Sequence, residues 1–311
     1  MASPPSAPGA EARLALTAGL LCYLIWGFVP LAFQAIGALG VGPWEILAHR
    51  TFWSIPLAGL FVLLARQGRQ VVTALTTPGI LLRLMLSSLL IAINWVTFIW
   101  AVNAGHVLET SLGYYINPLV NMAAGALLFR ERIDRIGKIA MAIAAVGVIV
   151  QGFALGHLPI VSIILALSFG GYGIVRKQVA ADAQTGLFVE CLILGLPGIA
   201  FVAWLQAQGG GHFTQSPQTA AWLIASGPIT ALPLMLFAWA ARRMPLSAMG
   251  FLQFLAPTIS FCIGLSQGEP FTPLRALSFV FIWGGAAVFA WGAWRRSRST
   301  ALATAQAAPA E

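Results

Sequence analysis

A chain of 311 residues with 59% hydrophobic side chains, 8% charged ones and a formal charge of +8 is not a soluble domain, since such domains carry about 25% charged residues. Its charges punctuate apolar runs of roughly 18–25 residues, long enough to cross about 30 Å of hydrocarbon, and only helices or closed barrels satisfy their backbone there. Cys22, Cys191 and Cys262 fall singly in apolar runs, with no disulfide or metal-ligand spacing, so the expectation is an all-α membrane protein without a cofactor.

Residues 1–12 read as a disordered cytoplasmic tail without the basic cluster of a signal peptide. Span 1 (13–36) carries Tyr23, Trp26, Pro30 and Gln34. Span 2 (44–65) opens with Glu45, His49, Arg50 and Trp53. Glu45 and His49 stand four apart and could exchange a proton, since histidine titrates near neutrality. With Arg50 they could equally form an internally neutralised packing cluster. Span 3 (79–103) offers Asn94, Thr97 and Ala101. Span 4 (107–128) begins with Glu109, where a carboxylate favours the helix dipole. It then places Ser111, Tyr114, Asn117, Pro118 and Asn121 on one face by spacings of three and four.

Span 5 (135–155) has no polar stripe but a small-residue pair, Ala140/Ala144, suited to close packing. Span 6 (158–177) carries Ser168 and Tyr172, and span 7 (186–206) carries Glu190, with the same two readings as Glu45. Span 8 covers 219–242. Span 9 (246–266) repeats the span 4 stripe with Ser247, Gly250, Gln253, Pro257 and Ser260. Span 10 (273–294) has the small pair Ala286/Ala290, and 296–311 reads as a cytoplasmic tail. His106, His157 and His212 fall in loops without a metal pattern. Polar groups in hydrocarbon face partner helices or a water-filled cavity. The stripes predict a substrate cavity lined by Tyr23, Trp26, Asn94, Thr97, Ser111, Tyr114, Asn117, Asn121, Tyr172 and Gln253. Any one of these also serves as interhelical glue. Such a lining suits a neutral, zwitterionic or aromatic solute.

Fifteen of the 17 basic residues, all but Arg50 and Arg275, fall on one side of a ten-span topology with both termini cytoplasmic. The charge is therefore an orientation signal and not a nucleic-acid surface. "FIWAVNAGHVLETSLGYYINP" also lies over "FAWAARRMPLSAMGFLQFLAP" without a gap, matching Trp100 to Trp239 and Pro118 to Pro257. One residue later in register, Glu131 meets Glu269 and Gly147 meets Gly285. The halves, 13–155 and 156–295, hold five spans each, an odd number, so the second is inverted relative to the first. Inverted repeats around a midplane site are a recurrent transporter architecture.

The segments "YLIWGFVPLAF", "EILAHRTFWS", "NWVTFIWAVNAGHVLETSLGYYINPLVN", "YGIVRKQVAADAQTGLFVE" and "LSAMGFLQFLAPT" resemble RarD-type permeases of the EamA-domain family, in the drug/metabolite transporter superfamily. The resemblance covers about residues 13–294. It implies two EamA-like repeats in a bacterial inner membrane, with spans 1, 3, 4, 6, 8 and 9 around the cavity and spans 5 and 10 packed outside. It also implies export of metabolites or drugs, and RarD-type members are commonly labelled chloramphenicol-sensitivity permeases. Small four-helix exporters of the superfamily use a glutamate in their first helix for proton antiport. Spans 1 and 6 have none, which leaves Glu45, His49 and Glu190 as candidate coupling residues, or facilitated transport.

The resulting expectation is a secondary transporter of small metabolites or drugs working by alternating access, and not an enzyme. Its partners would be a small-molecule substrate and the lipid bilayer. A chain holding both repeats would work as a monomer or weak dimer. The alternatives are a membrane protein that senses or binds without transport, and an intramembrane enzyme, for which no catalytic pair or nucleophile motif is present.

Overall fold

Proline decides where several helices start. Pro43, Pro78, Pro217 and Pro273 each occupy a first helical position, where the missing N–H would have had no intrahelical acceptor anyway. The computed structural model describes residues 8–128, 134–156, 158–241, 243 and 252–307, and all regular structure among them is helical. The helices are α1 (Pro8–Gly37), α2 (Pro43–Leu64), α3 (Gly68–Thr76), α4 (Pro78–Asn103), α5 (Val107–Leu128), α6 (Arg135–Leu155), α7 (Ile160–Lys177), α8 (Ala183–Ala207), α9 (Pro217–Ala241), α10 (Leu255–Ser266) and α11 (Pro273–Ala307).

Eight of them (α1, α2, α4, α6, α7, α8, α9 and α11) contain a segment long and apolar enough to cross a membrane. α5 has the same length, 22 residues, and is made more polar by its Glu, Tyr and Asn residues. α10 is a 12-residue apolar helix; residues 246–251 of the expected ninth span lie outside the described residues. These are the ten membrane helices. The sequence reading did not contain α3, a nine-residue helix packed against α4 and α8. Helix also begins at Pro8 and runs on to Ala307, into both stretches expected as tails. "GAEAR" and "ALATAQA" are rich in strong helix formers.

The packing obeys a two-fold exchange of the halves. If α1, α2, α4, α5 and α6 are exchanged with α7, α8, α9, α10 and α11, the pair α1·α9 maps onto α7·α4. In the same way α1·α10 maps onto α7·α5, and α2·α9 onto α8·α4, and all six pairs are in contact. The helices α2 and α8, α5 and α10, and α6 and α11 each touch their own equivalents. This is an inverted repeat of two five-helix halves.

Glycines set how closely the self-paired helices approach. A Cβ on Gly198 of α8 would lie 3.3 Å from Ala48 Cα of α2. Gly147 and Gly285, equivalent by repeat, sit in the α6–α11 crossing: a Cβ would lie 2.7 Å from Ile282 Cγ1 and 3.1 Å from Ala144 Cβ, respectively. Ala140 and Ala144 are buried in that seam, and Ser278 Oγ donates to Gln151 Oε1 across it at 2.6 Å. Small residues let membrane helices approach to van der Waals contact. Large side chains that point away from the bundle remain exposed, Leu63 at 73% and Phe153 at 75%, as a lipid-facing surface requires.

The bundle has two loop ends. At one, called here the His212 end, Gln34 and Gln267 exchange hydrogen bonds (3.0 and 2.8 Å), and Glu269 accepts from Val107 N and Leu108 N (2.5 and 3.0 Å) at the start of α5. At the other, the Arg176 end, Gln67 Nε2 donates to Asp182 Oδ2 (2.9 Å) and Thr185 Oγ1 donates to Gln67 Oε1 (3.0 Å). All of these bonds cross from one half to the other.

Candidate functional site

Single residues of three polar stripes meet between the ends. Asn94 of α4, 1% exposed, donates through Nδ2 to Leu165 O (3.0 Å) and Ser168 Oγ (3.1 Å) of α7, and accepts from the Tyr114 hydroxyl of α5 at 3.1 Å. The Tyr114 ring meets Phe98 at 5.8 Å and Phe169 at 6.2 Å between centroids. Phe98 in turn meets Phe33 of α1 at 6.3 Å. One residue from each of three expected stripes, Asn94 of α4, Tyr114 of α5 and Ser168 of α7, thus meets in one aromatic and amide cluster.

Arg50 reaches the same cluster from α2. It lies two turns into the helix, about 10 Å from its first residue at 1.5 Å per residue, and is 6% exposed. Its Cζ lies 4.1 Å from the Trp95 ring centroid and 4.9 Å from that of Phe33. Nε donates to Thr230 Oγ1 of α9 at 3.0 Å, while the two terminal nitrogens have no hydrogen-bond partner among the described residues. A cation at the bilayer centre costs about 2.5–3.5 kcal/mol on insertion scales. A desolvated ring face returns about 2 kcal/mol.

Glu45, His49 and Arg50 therefore do not form one neutralised cluster. Glu45, 3% exposed, turns to the loop after α8: its Oε1 accepts from His212 N and its Oε2 lies 2.7 Å from His212 Nδ1. His49 accepts from Trp53 Nε1 at 3.3 Å and stacks on Phe213 at 5.1 Å, and its buried Nε2 is without a partner. The Glu–His contact exists, but its histidine is His212. The angular reason is simple: residues five apart on a helix project about 140° apart at 3.6 residues per turn, so Glu45 and Arg50 face different neighbours.

Glu190 occupies the equivalent place toward the Arg176 end. It accepts from Ser87 Oγ (2.5 Å) and from the Tyr172 hydroxyl (3.2 Å), with Arg176 Nε at 3.6 Å. The Arg176 guanidinium lies directly over the bare backbone of Gly186. Glu45 and Glu190 thus each find their partners near opposite ends of the bundle, and both sets tie one half to the other.

The remaining expected lining residues are spread out. Tyr23 and Trp26 pack edge-on at 5.4 Å and both meet Phe237 of α9, away from Asn94. Thr97 faces a cavity of about 660 Å³ at the bundle's flank, lined also by Trp44, Trp100, His106, Glu109 and Ile164. Ser111 is buried against its own helix, donating to Val107 O at 3.3 Å. Asn117 is buried, and its Oδ1 has no hydrogen-bond partner among the described residues. Gln253 is half-buried in the turn before α10. The side chain of Asn121, and Ser247 and Gly250 of the repeat stripe, lie outside the described residues. Among the described residues, no group of three His, Cys, Asp or Glu side chains is placed to hold a metal ion.

Sequence reasoning missed Arg50's position, its aromatic neighbours Phe33 and Trp95, and the partners Thr230, His212 and Ser87. The ring of cavity spans implied by the resemblance, 1, 3, 4, 6, 8 and 9, did not include span 2, from which α2 brings Arg50 to the cluster.

Residues 13–152 match the EamA-like transporter family. An uncharacterized transporter of Vibrio cholerae serotype O1 is 41% identical over 282 residues, covering 90% of this chain and 92% of the relative. Protein RarD of Escherichia coli strain K12 is 39% identical over 293 residues, covering 93% and 98%. A crystal structure of another protein, 20% identical, matches with a TM-score of 0.59 over 90% of this chain and 98% of the other, which shows a shared fold. The chain belongs to the EamA-like transporter family, as a RarD-type, multi-pass protein of the bacterial inner membrane.

Proposed function

We propose that the protein is a secondary transporter that exports small metabolites or drugs by alternating access, with the solute bound at the Asn94–Tyr114–Arg50 cluster. The observation that carries this reading is the enclosure of that cluster by helices from both halves. α1, α2, α4 and α5 come from the first half, α7 and α9 from the second, so rocking one half against the other would expose the cluster to either side. Both termini face the cytoplasm in this reading, because the described basic residues outside α2 gather at the Arg176 end, with Arg275 the exception. Both halves are within one chain, so a monomer suffices.

The experiment is thermal denaturation of the purified protein in detergent against amino acids, nucleosides and antibiotics including chloramphenicol, followed by flux of any stabilising solute in proteoliposomes. A ligand at 100 times its dissociation constant adds about 2.7 kcal/mol by mass action. The expected result is a concentration-dependent shift, weakened by Tyr114→Ala, together with flux. Binding without flux would favour a sensor instead.

A further inference from the structure

Arg50 has no carboxylate partner among the described residues, and four buried or half-buried carboxylates of the bundle are committed elsewhere. Glu45 holds His212, Glu190 holds Ser87, Tyr172 and Arg176, Glu109 holds His106 at 3.1 Å, and Glu269 holds the first N–H groups of α5. The guanidinium is instead held by two ring faces and one neutral hydroxyl. These contacts fix its position and use only Nε of its five-donor fork. The edge formed by the terminal nitrogens is left for something that arrives. A guanidinium edge matches a carboxylate with two parallel N–H bonds.

Resting on the transport reading above, we infer that Arg50 is the carboxylate-recognition residue of the binding site, and that the solute class is an organic monocarboxylate with an aromatic or apolar body. A single cation matches one negative charge, whereas a phosphate monoester dianion would leave a charge uncompensated among Phe33, Trp95 and Phe98. The body of the solute lies against these rings and Tyr114. Tyr114 already gives its proton to Asn94, so toward the solute its hydroxyl oxygen is an acceptor. That suits an N–H or O–H group on the body and gives a place to the ammonium of an aromatic amino acid. The alternative role of Arg50 is a purely structural tie between α2, α4 and α9, and the test separates the two.

Matched acid and amide pairs are the probes: benzoate with benzamide, phenylacetate with phenylacetamide, indole-3-acetate with its amide, and phenylalanine with phenylalaninamide. Affinity is read from thermal shifts of the wild-type protein, which needs no variant to fold. The expected result is that acids bind about tenfold tighter than their amides or more, the least a charge-assisted hydrogen bond contributes. Arg50→Gln should erase that preference and Arg50→Lys should retain part of it. Equal binding of acid and amide, tighter binding of the amides, or no shift with any acid would overturn the inference. An acid preference that persists in a folded Arg50→Gln would overturn it too. Flux is scored separately: acid-selective binding without flux leaves this inference standing and removes the transport reading. Flux of nucleosides or neutral antibiotics with no acid preference does the reverse.

Discussion

Asn94 uses both amide protons and its oxygen, so removing it does more than delete a side chain. Asn94→Ala takes a donor from Leu165 O and from Ser168 Oγ and leaves the Tyr114 hydroxyl without an acceptor. Tyr114→Phe takes away only one donor and keeps the ring between Phe98 and Phe169. An unsatisfied buried group costs about 1–3 kcal/mol, so Asn94→Ala should lower the thermal midpoint clearly and Tyr114→Phe only slightly. Comparable midpoints would mean that the cluster is open to water in detergent. Glu45 carries a different expectation. It forms half of a Glu–His contact between the halves, and if that contact couples a proton to opening, Glu45→Gln should remove any dependence of flux on a pH gradient. Flux that follows the gradient as in the wild type would make the contact purely structural.

Packing of whole elements turns on a few places where one helix has no side chain. Gly227 of α9 lies against the backbone of Trp53 in α2, where an added Cβ would overlap the Trp53 carbonyl, and Ser54 Oγ donates to Gly227 O at 3.1 Å. Gly227→Ala must push α2 and α9 apart. Overpacking of this kind costs about 1–3 kcal/mol, and the shift would also move Thr230, one turn on, away from Arg50. The variant should therefore lose both midpoint and ligand response, while Gly68→Ala, with open space around its Cβ, should lose neither. At this scale much was legible. The α6–α11 seam follows from Ala140 and Ala144, whereas of the stripes on α4, α5 and α7 only Asn94, Tyr114 and Ser168 meet, because a face defined by spacings of three and four is shared among several neighbouring helices. Other features left no local trace. The partner of Glu45 is a loop histidine far along the chain, and nothing near Arg50 in sequence names Trp95 or Thr230. α3 is too short and too polar to register in a reading tuned to spans. The spacing of Glu45 and Arg50 did hold the information that they point apart, and grouping them by proximity in sequence discarded it.

For the molecule as a whole, the polar bonds between halves at both ends are the testable consequence of inverted symmetry. Alternating access requires each set to break in turn, the Gln34–Gln267 pair when the His212 end opens and the Gln67–Asp182 pair when the Arg176 end opens. Cysteines at 34 and 267, or at 67 and 182, can be bridged with a reversible thiol cross-linker after the exposed Cys262 is replaced by serine. Each bridge by itself should stop flux in proteoliposomes, and reduction should restore it, because a carrier locked at either end completes no cycle. Ligand-induced thermal shifts should survive either bridge, since the opposite end still admits the solute. A bridge that leaves flux intact would show that its end stays closed throughout transport, and would confine the solute's route to a path that does not pass between the two halves there.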